Sequence, residues 1–186
     1  MSTQIERRWF SVDEYYRMID AGILSEDDRV ELIDGEVFEM SPIVKDHAAC
    51  VKRTNELFGR VVRRRAIVSV QDPVRLSDFS EPQPDIALLK RRPDFYRSGH
   101  PTPAEVLLIV EVGDATIEYD RRVKVPLYAR SGIPEVWLVD LVGDLIEIYG
   151  QLVNGRYQSF REARRGDALT LGALPKFVVA AEEILG

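Results

Sequence analysis

The sequence has only one cysteine, Cys50, among its 186 residues. An intramolecular disulfide is therefore excluded, and a chain without disulfides is typical of a reducing compartment. Long apolar runs are also absent, since no stretch approaches the roughly 20 consecutive apolar residues that are needed to cross a bilayer. The first residues, MSTQIERRWFSVDEYY, contain no apolar segment of signal-peptide length. These absences predict a cytoplasmic protein that has no membrane partner.

Several common catalytic signatures are missing as well. The sequence contains no GxSxG nucleophile elbow, no P-loop and no dinucleotide-binding glycine fingerprint, which argues against the commonest hydrolases, kinases and dehydrogenases. His47 and Cys50 stand three residues apart, a spacing that a zinc site on a helix can use. A structural zinc site needs four ligands, however, and only His100 remains among the soft ones. The sequence therefore disfavours a zinc centre.

The charge balance bears on the choice of partner. The net charge of −6 argues mildly against nucleic acid, because affinity for DNA comes largely from the neutralisation of phosphates. An enzyme that gathers acidic groups around a metal can nevertheless be acidic overall and present a basic rim. The alternative is that each basic cluster is a solvated face. The basic clusters are Arg60 with Arg63, Arg64 and Arg65; Lys90 with Arg91 and Arg92; and Arg121 with Arg122 and Lys124.

The length and composition indicate one globular domain. A chain of 186 residues can bury roughly 70% of the surface that its unfolded form exposes, and needs no disulfide or structural metal to fold. The 45% hydrophobic and 30% charged composition is ordinary for globular proteins. No internal repeat or linker interrupts the sequence. We therefore predict a single domain over residues 1–186, with an N-terminal helix at about 11–21 and a core at about 30–186.

Periodicity and turn residues predict an α/β fold on a mixed sheet. Ser11 and Glu14 form a capping-box pattern, and the helix that they open should end near Gly22. Asp34-Gly35 lies between two apolar-rich runs, which is typical of a hairpin with a type I′ turn. A helix after the central strand should end at Gly132. Helices are predicted at about 46–65 and 117–131 and near the C-terminus, strands at 66–70, 73–76, 84–89, 105–112, 135–140, 145–149 and within 169–179, and a loop at 90–104.

The most hydrophobic segment, residues 105–112, carries an acid near its end. A run so rich in Val, Leu and Ile should be a strand covered on both faces at the centre of the sheet. Glu111 follows the run without a break, and a buried, unpaired carboxylate costs several kcal/mol unless it is neutralised or finds a cation. The alternative for Glu111 alone is a structural carboxylate that is capped by an arginine or by backbone amides.

Asp85 adds a second acid at the end of a second strand. It directly follows Pro84, whose fixed backbone angle ends a loop and sets the entry of the strand. Two short strands that each carry an acid at one end can bring these acids close enough to share a hard cation. Mg²⁺ suits such a site, because it binds one or two carboxylates and keeps waters for its remaining positions. The pair Asp85 and Glu111 therefore predicts a site for Mg²⁺, with Mn²⁺ as a substitute.

These residues belong to a pattern that resembles the Uma2 family, also called DUF820, whose members are labelled restriction endonucleases. The resemblance spans about residues 30–185 and is most specific over residues 119–140. The matching segments are ELIDGE at 31–36, MSP at 40–42, His47, PDIALL at 84–89, IVEV at 109–112, YDRRVKVPLYARSGIPEVWLVD at 119–140 and IEIY at 146–149.

The resemblance implies a fold, an activity and a set of site residues. The fold would be the PD-(D/E)XK nuclease core, a central mixed sheet flanked by helices, and the activity would be metal-dependent hydrolysis of DNA phosphodiester bonds. Asp85 fills the PD position and Glu111 the (D/E) position, and both would bind the metal together with the backbone carbonyl of Val112. Glu31 corresponds to an acidic residue that supplements the site.

The lysine of the motif departs from its usual place. A strict motif would put lysine two residues after Glu111, where Gly113 stands, and the resemblance points instead to Lys124 on the following helix. Asp120, Lys124 and Tyr128 are spaced four apart and share one helical face, which could point toward the end of the Glu111 strand. The alternative is that Lys124 pairs with Asp120 on the surface.

Two other functions remain open at the level of sequence. The first is a catalytically silent nuclease fold that binds DNA or a protein, and the second is a hydrolase of another phosphodiester such as RNA. Double-strand cutting needs two sites, so a homodimer would be expected for that activity.

Overall fold

The fold is built around a six-stranded mixed sheet with the strand order β3-β4-β5-β6-β7-β8. The computed structural model describes residues 7–25 and 27–186. The N-terminal segment that we expect not to be a signal peptide therefore lies partly outside the described residues. The strands are β1 (Val30–Ile33), β2 (Glu36–Glu39), β3 (Ala66–Val70), β4 (Ile86–Lys90), β5 (Val106–Gly113), β6 (Val136–Asp140), β7 (Leu145–Val153), β8 (Arg156–Ala163), β9 (Ala168–Leu171) and β10 (Leu174–Ala180). The helices are α1 (Val12–Asp20), α2 (Lys45–Val62), α3 (Ile117–Tyr119), α4 (Val125–Ser131) and α5 (Ala181–Leu185).

The sheet confirms the predicted mixed α/β fold. Strands β5 and β6 pair in parallel across the predicted helical crossover, and every other neighbouring pair in the six-stranded sheet is antiparallel. Strand β5 is flanked by β4 and β6, and its apolar run is covered on both faces. Leu108 and Val110 pack with Phe58 of α2 on one face, and Ile109 packs with Tyr128 of α4 on the other. Each such fully buried side chain stabilises the fold by roughly 1.5–3 kcal/mol.

The β1–β2 hairpin is a separate two-stranded sheet beside the main one. Asp34 and Gly35 both have positive φ angles, 49° and 77°, as the predicted type I′ turn requires. The pair Leu32 and Glu81 forms an isolated antiparallel bridge, which attaches the hairpin to the loop before β4. A capping box between Ser11 and Glu14 opens α1, as predicted.

The prediction of a strand at residues 73–76 is wrong. This segment is an irregular loop in which the Val74 amide donates to the Pro82 carbonyl and the Leu76 amide to the Ser80 carbonyl. Val74 and Leu76 are nevertheless buried against the core on the β5 face that carries Ile109. Their apolar character therefore reflects loop packing, which a short sequence run does not distinguish from strand pairing.

The predicted helix at 117–131 is interrupted by a wide π-helical turn over Asp120–Lys124, between α3 and α4. Pro126 has no amide proton to donate to the Arg122 carbonyl four residues earlier, so regular α-helical bonding cannot continue across this point. The segment ends as predicted at Gly132, which has a left-handed backbone with φ of 94°. In the two described segments of the chain, no helix has both the length and the apolar character to cross a bilayer.

Candidate functional site

A pocket of about 800 Å³ opens at the edge of the sheet where β4 begins and β5 ends. The first turn of α2, the β1–β2 hairpin and the helical segment after β5 complete its wall. All four residues that the sequence predicts as catalytic line this pocket, namely Glu31, Asp85, Glu111 and Lys124. Val112, whose carbonyl is predicted to bind metal, lines it as well.

Strand register brings Asp85 and Glu111 together. Ile86 pairs with Val110 in the antiparallel β4–β5 ladder, so Asp85 lies one residue further along and opposite Glu111. Residues that face each other across such a ladder have Cβ atoms roughly 4.5–5.5 Å apart. The Asp85 amide donates to Glu111 Oε2 at 3.4 Å, and the Val112 amide donates to Asp85 Oδ2 at 2.9 Å. The two acids therefore share one end of the paired strands.

The ammonium group of Lys124 lies between two buried carboxylates. Its Nζ is 3.2 Å from Glu111 Oε1 and 3.2 Å from Glu31 Oε2, and the residue is only 6% exposed. The surface pairing with Asp120, which the sequence left open, is therefore not the arrangement that forms. Burial disfavours the charged lysine, but the fields of Glu111, Glu31 and Asp120 more than offset this and raise the pKa of Lys124.

Gly113 explains why a lysine could not occupy the usual motif position. A Cβ atom built at Gly113 would lie 2.9 Å from Ile117 Cα and 2.8 Å from Ile117 Cδ1. The backbone atom cannot move aside as the end of a flexible side chain could, so any side chain at position 113 would displace the start of α3. The close approach of α3 to β5 thus excludes lysine at 113 and places the helix that carries Lys124 over the carboxylates.

Two acidic side chains of the site, Glu111 and Asp120, have raised pKa values. Burial raises the pKa of Glu111 to about 8, even though Lys124 lowers it, with smaller contributions from Asp120 and Asp85 that raise it. The Tyr128 hydroxyl donates to Glu111 Oε1 at 2.5 Å. Burial likewise raises the pKa of Asp120, which also lines the pocket, to about 6. One ammonium group therefore does not compensate the acidic groups that surround it.

The donor set fits a hydrated hard cation. Asp85 and Glu111 supply two adjacent carboxylates beside Val112, and Mg²⁺ uses one or two carboxylates while keeping waters in its remaining positions. Within residues 7–25 and 27–186, no group of three or more His, Cys, Asp and Glu side chains is arranged to enclose a metal ion.

Two residues that the sequence did not assign to the site hold the Asp85 side chain. His47 Nε2, in the first turn of α2, lies 3.0 Å from Asp85 Oδ2, and Gln71 Nε2 donates to Asp85 Oδ1 at 3.2 Å. The hydrogen bond to Asp85 raises the pKa of His47 against the effect of burial. His47 was visible as part of the family pattern, whereas nothing in the sequence around Gln71 marks it.

Parts of the basic clusters are engaged by acidic side chains. Arg121 binds Glu147 through two nitrogen atoms, with its Nε 3.0 Å and Nη2 2.6 Å from Glu147 Oε1. Arg92 pairs with Asp94 and Glu105 at 2.8 and 3.1 Å. These arginines stabilise the fold locally. The lysine and arginine side chains that line the pocket itself are Lys124 and Arg29.

Comparison with known proteins places this geometry in a family. Residues 12–182 match the Uma2 family, described as "Putative restriction endonuclease". A solved structure described as "a putative nuclease belonging to DUF820 from Anabaena variabilis ATCC 29413" superposes with a TM-score of 0.70, at 15% sequence identity, over 95% of this chain and 97% of that chain. No curated protein matches the sequence significantly. The structural likeness establishes a shared fold, and the match over residues 12–182 establishes that this chain belongs to the Uma2 family.

Proposed function

We propose that this chain is a metal-dependent endonuclease that hydrolyses DNA phosphodiester bonds. The observation that carries the proposal is the Lys124 ammonium, held between Glu111 and Glu31 beside Asp85 in an open pocket. Moving charged groups out of water costs several kcal/mol for each ion, and apolar residues would fill the same space at lower cost. A buried arrangement of this kind is therefore better explained by a catalytic role than by a contribution to the stability of the fold.

Each of the predicted residues has a role that follows from its position. Asp85, Glu111 and the Val112 carbonyl would hold Mg²⁺, and Glu31 would contribute directly or through a water. A divalent cation supplies Lewis-acid stabilisation of the charge that develops on a phosphate. Lys124 would orient the attacking water and stabilise the same developing charge, because its ammonium lies between the two carboxylates at the edge of the pocket.

His47 and Gln71 would keep the Asp85 carboxylate in a fixed orientation. Together with the Val112 amide they contact both of its oxygen atoms, Oδ1 through Gln71 and Oδ2 through His47 and Val112. A carboxylate that is held by neighbouring donors loses less freedom when it binds a cation, which favours a preorganised site. We therefore assign His47 and Gln71 as positioning residues for Asp85.

The charge of the pocket makes the activity dependent on an added cation. A phosphodiester is an anion, and the acidic groups around Lys124 would repel it unless further positive charge were present. We expect supercoiled plasmid to be nicked in the presence of Mg²⁺ or Mn²⁺ and to remain intact with a chelator.

The test is a titration of plasmid nicking with Mg²⁺ and Mn²⁺ for the wild type and for Asp85→Asn. Because the variant removes one anionic ligand, it should raise the metal concentration that gives half-maximal nicking by at least about tenfold. Asp46→Asn, at an exposed position in the same first turn of α2 as His47, is the matched control and should behave as the wild type.

Other outcomes would identify a different function. A folded protein that binds DNA and does not cut it at any metal concentration would be a binding module. A protein that cuts single-stranded or structured RNA and leaves plasmid intact would be a ribonuclease. Either result would contradict the proposal of a DNA endonuclease.

A further inference from the structure

We propose that the protein has a second binding site, for a primary alkylammonium group, in a smaller pocket of about 240 Å³. This pocket lies between α1, the start of β1 and the loop that precedes β4. It borders the larger pocket, since Asp28 and Gln83 line both. A cavity of roughly 150 Å³ can admit a molecule as large as benzene, so this pocket can hold a small organic ligand.

A buried carboxylate with an unused oxygen atom identifies the charge of the ligand. Glu81 is only 2% exposed and lines the pocket. Its Oε1 accepts a hydrogen bond of 2.6 Å from the Tyr16 hydroxyl, whereas its Oε2 has no hydrogen-bond partner among the described residues. Most buried polar atoms are hydrogen-bonded, and a buried carboxylate without a cation is costly. The free oxygen therefore indicates a ligand that donates hydrogen bonds and carries positive charge.

The backbone holds Glu81 where it is. Its amide donates to the Leu32 carbonyl at 2.7 Å, and the two residues form the bridge that connects the β1–β2 hairpin to the loop. These contacts fix the backbone of Glu81 beside the pocket, and the hydrogen bond from the Tyr16 hydroxyl holds its carboxylate. The nearby cation Arg75 pairs with Asp13 and Asp78, at 3.2 and 3.5 Å. Among the described residues that line the pocket there is no lysine or arginine.

The remainder of the lining selects an organic cation over a metal ion. Ile19, Val30 and Pro73 provide apolar surface, and the rings of Tyr15 and Tyr16 provide aromatic surface. Alkyl chains pack on such surface, and ammonium groups are attracted to aromatic rings. A metal ion would need several oxygen ligands, and the described residues contain no group of three His, Cys, Asp or Glu side chains arranged to supply them. An ammonium group on a short alkyl chain satisfies both the carboxylate and the apolar wall.

Gln83 connects this pocket to the candidate active site. Its backbone amide donates to Glu31 Oε2 at 3.3 Å, and its side-chain amide donates to the Val30 carbonyl at 3.4 Å. Gln83 would therefore separate a ligand in the smaller pocket from Glu31. Binding itself does not depend on nuclease activity, so the two proposals can be tested separately.

The test is isothermal titration calorimetry with 1-aminobutane on the intact protein. We expect saturable binding at millimolar concentrations, weakened about tenfold or more in Glu81→Gln, because a hydrogen bond to a charged group contributes at least this much to a dissociation constant. The glutamine retains an acceptor for the Tyr16 hydroxyl, so the fold should persist. The matched control is Glu56→Gln, which removes a carboxylate from an exposed position on α2 and should bind as the wild type does.

Further ligands and a second variant sharpen the test. 1-Butanol has a similar shape and no charge, and it should bind much more weakly than 1-aminobutane. Nα-acetyl-lysine amide carries the same ammonium as 1-aminobutane on a bulkier group. Comparing the two affinities distinguishes a site for a small free amine from a site for the lysine side chain of a partner protein. Ile19→Trp fills the apolar wall without changing Glu81, and it should abolish binding. Equal affinity in the wild type and Glu81→Gln, or no binding of 1-aminobutane to the folded wild type, would overturn the proposal.

Discussion

Lys124→Ala is expected to reduce metal-dependent nicking of plasmid by about 10²–10³-fold, the usual effect of removing one preorganised group that stabilises developing charge. Lys124 is the cation that lies between Glu111 and Glu31, with its Nζ 3.2 Å from an oxygen of each. Alanine removes both this charge and the donor that would orient the water. The comparison of single-turnover rates at saturating Mg²⁺ measures the loss.

The same substitution should also destabilise the folded protein. Removing one partner of a buried ion pair leaves an uncompensated charge, which typically costs about 3–5 kcal/mol. The rate must therefore be measured well below the melting temperature of the variant and expressed per folded molecule. Lys124→Arg restores the charge but should rescue the rate poorly, because the guanidinium is bulkier and effectively never deprotonates.

Arg122→Ala is the matched control for Lys124→Ala. Arg122 lies on the same π-helical turn and also carries positive charge, but its side chain is 80% exposed and its ion-pair partner is Glu118. This variant should cut plasmid at nearly the wild-type rate. Wild-type nicking by folded Lys124→Ala would show that the lysine assignment is wrong. Arg121 and Arg122 would be tested next, although Arg121 is already held by Glu147.

The pairing of Asp85 with Glu111 was predictable because it depends on sheet geometry. The apolar run at 105–112 predicts the central strand, and Pro84 marks the entry of its neighbour. The exact register was not predictable. It depends on an irregularity between Leu88 and Leu89 in the β4–β5 ladder, and a shift by one residue would turn Asp85 to the opposite face of the sheet.

The position of Lys124 was only partly predictable. The four-residue spacing of Asp120, Lys124 and Tyr128 suggests one helical face, but the π-helical turn changes the angle between successive residues. The family resemblance selected Lys124 where periodicity alone favoured a surface pair. The steric reason, the close approach of Ile117 to Gly113, exists only in the folded chain.

Contacts between distant segments were the least accessible to sequence reasoning. Gln71 and His47 reach Asp85 from the end of β3 and from α2, and no local pattern connects these positions. The apolar residues of the 73–76 loop produced a false strand, because burial alone does not specify hydrogen-bonding partners. Tertiary packing determines the contacts of Gln71 and His47 and the conformation of the 73–76 loop.

Glu111→Gln is expected to change how the stability of the metal-free protein depends on pH. Burial raises the pKa of Glu111 from an ordinary value of 4.5 to about 8 in the folded protein. Between these pH values the folded state retains a proton that the unfolded state has released. The contribution of Glu111 to the free energy of unfolding therefore falls as pH rises through this window, by at most about 1.4 kcal/mol per pH unit.

The glutamine variant lacks this titration, so it should gain stability relative to the wild type as pH rises from 5 to 8. Asp120, whose pKa burial raises to about 6, contributes a slope of the same sign in both proteins. Denaturant unfolding of metal-free protein at several pH values measures the difference. Glu56→Gln, at an exposed position, should reproduce the wild-type pH dependence.

At pH 8, added magnesium should stabilise the wild type more than it stabilises Glu111→Gln. A cation that binds only the folded state stabilises it by about 2.7 kcal/mol at 100 times its dissociation constant. The ion would also displace the proton of Glu111, so its affinity for the wild type should rise between pH 6 and 8. Glu111→Gln should show little Mg²⁺-dependent increase in melting temperature at any pH. An equal increase in the wild type and in Glu111→Gln would exclude Glu111 as a ligand, because the amide carries neither the charge nor the proton that links metal binding to pH.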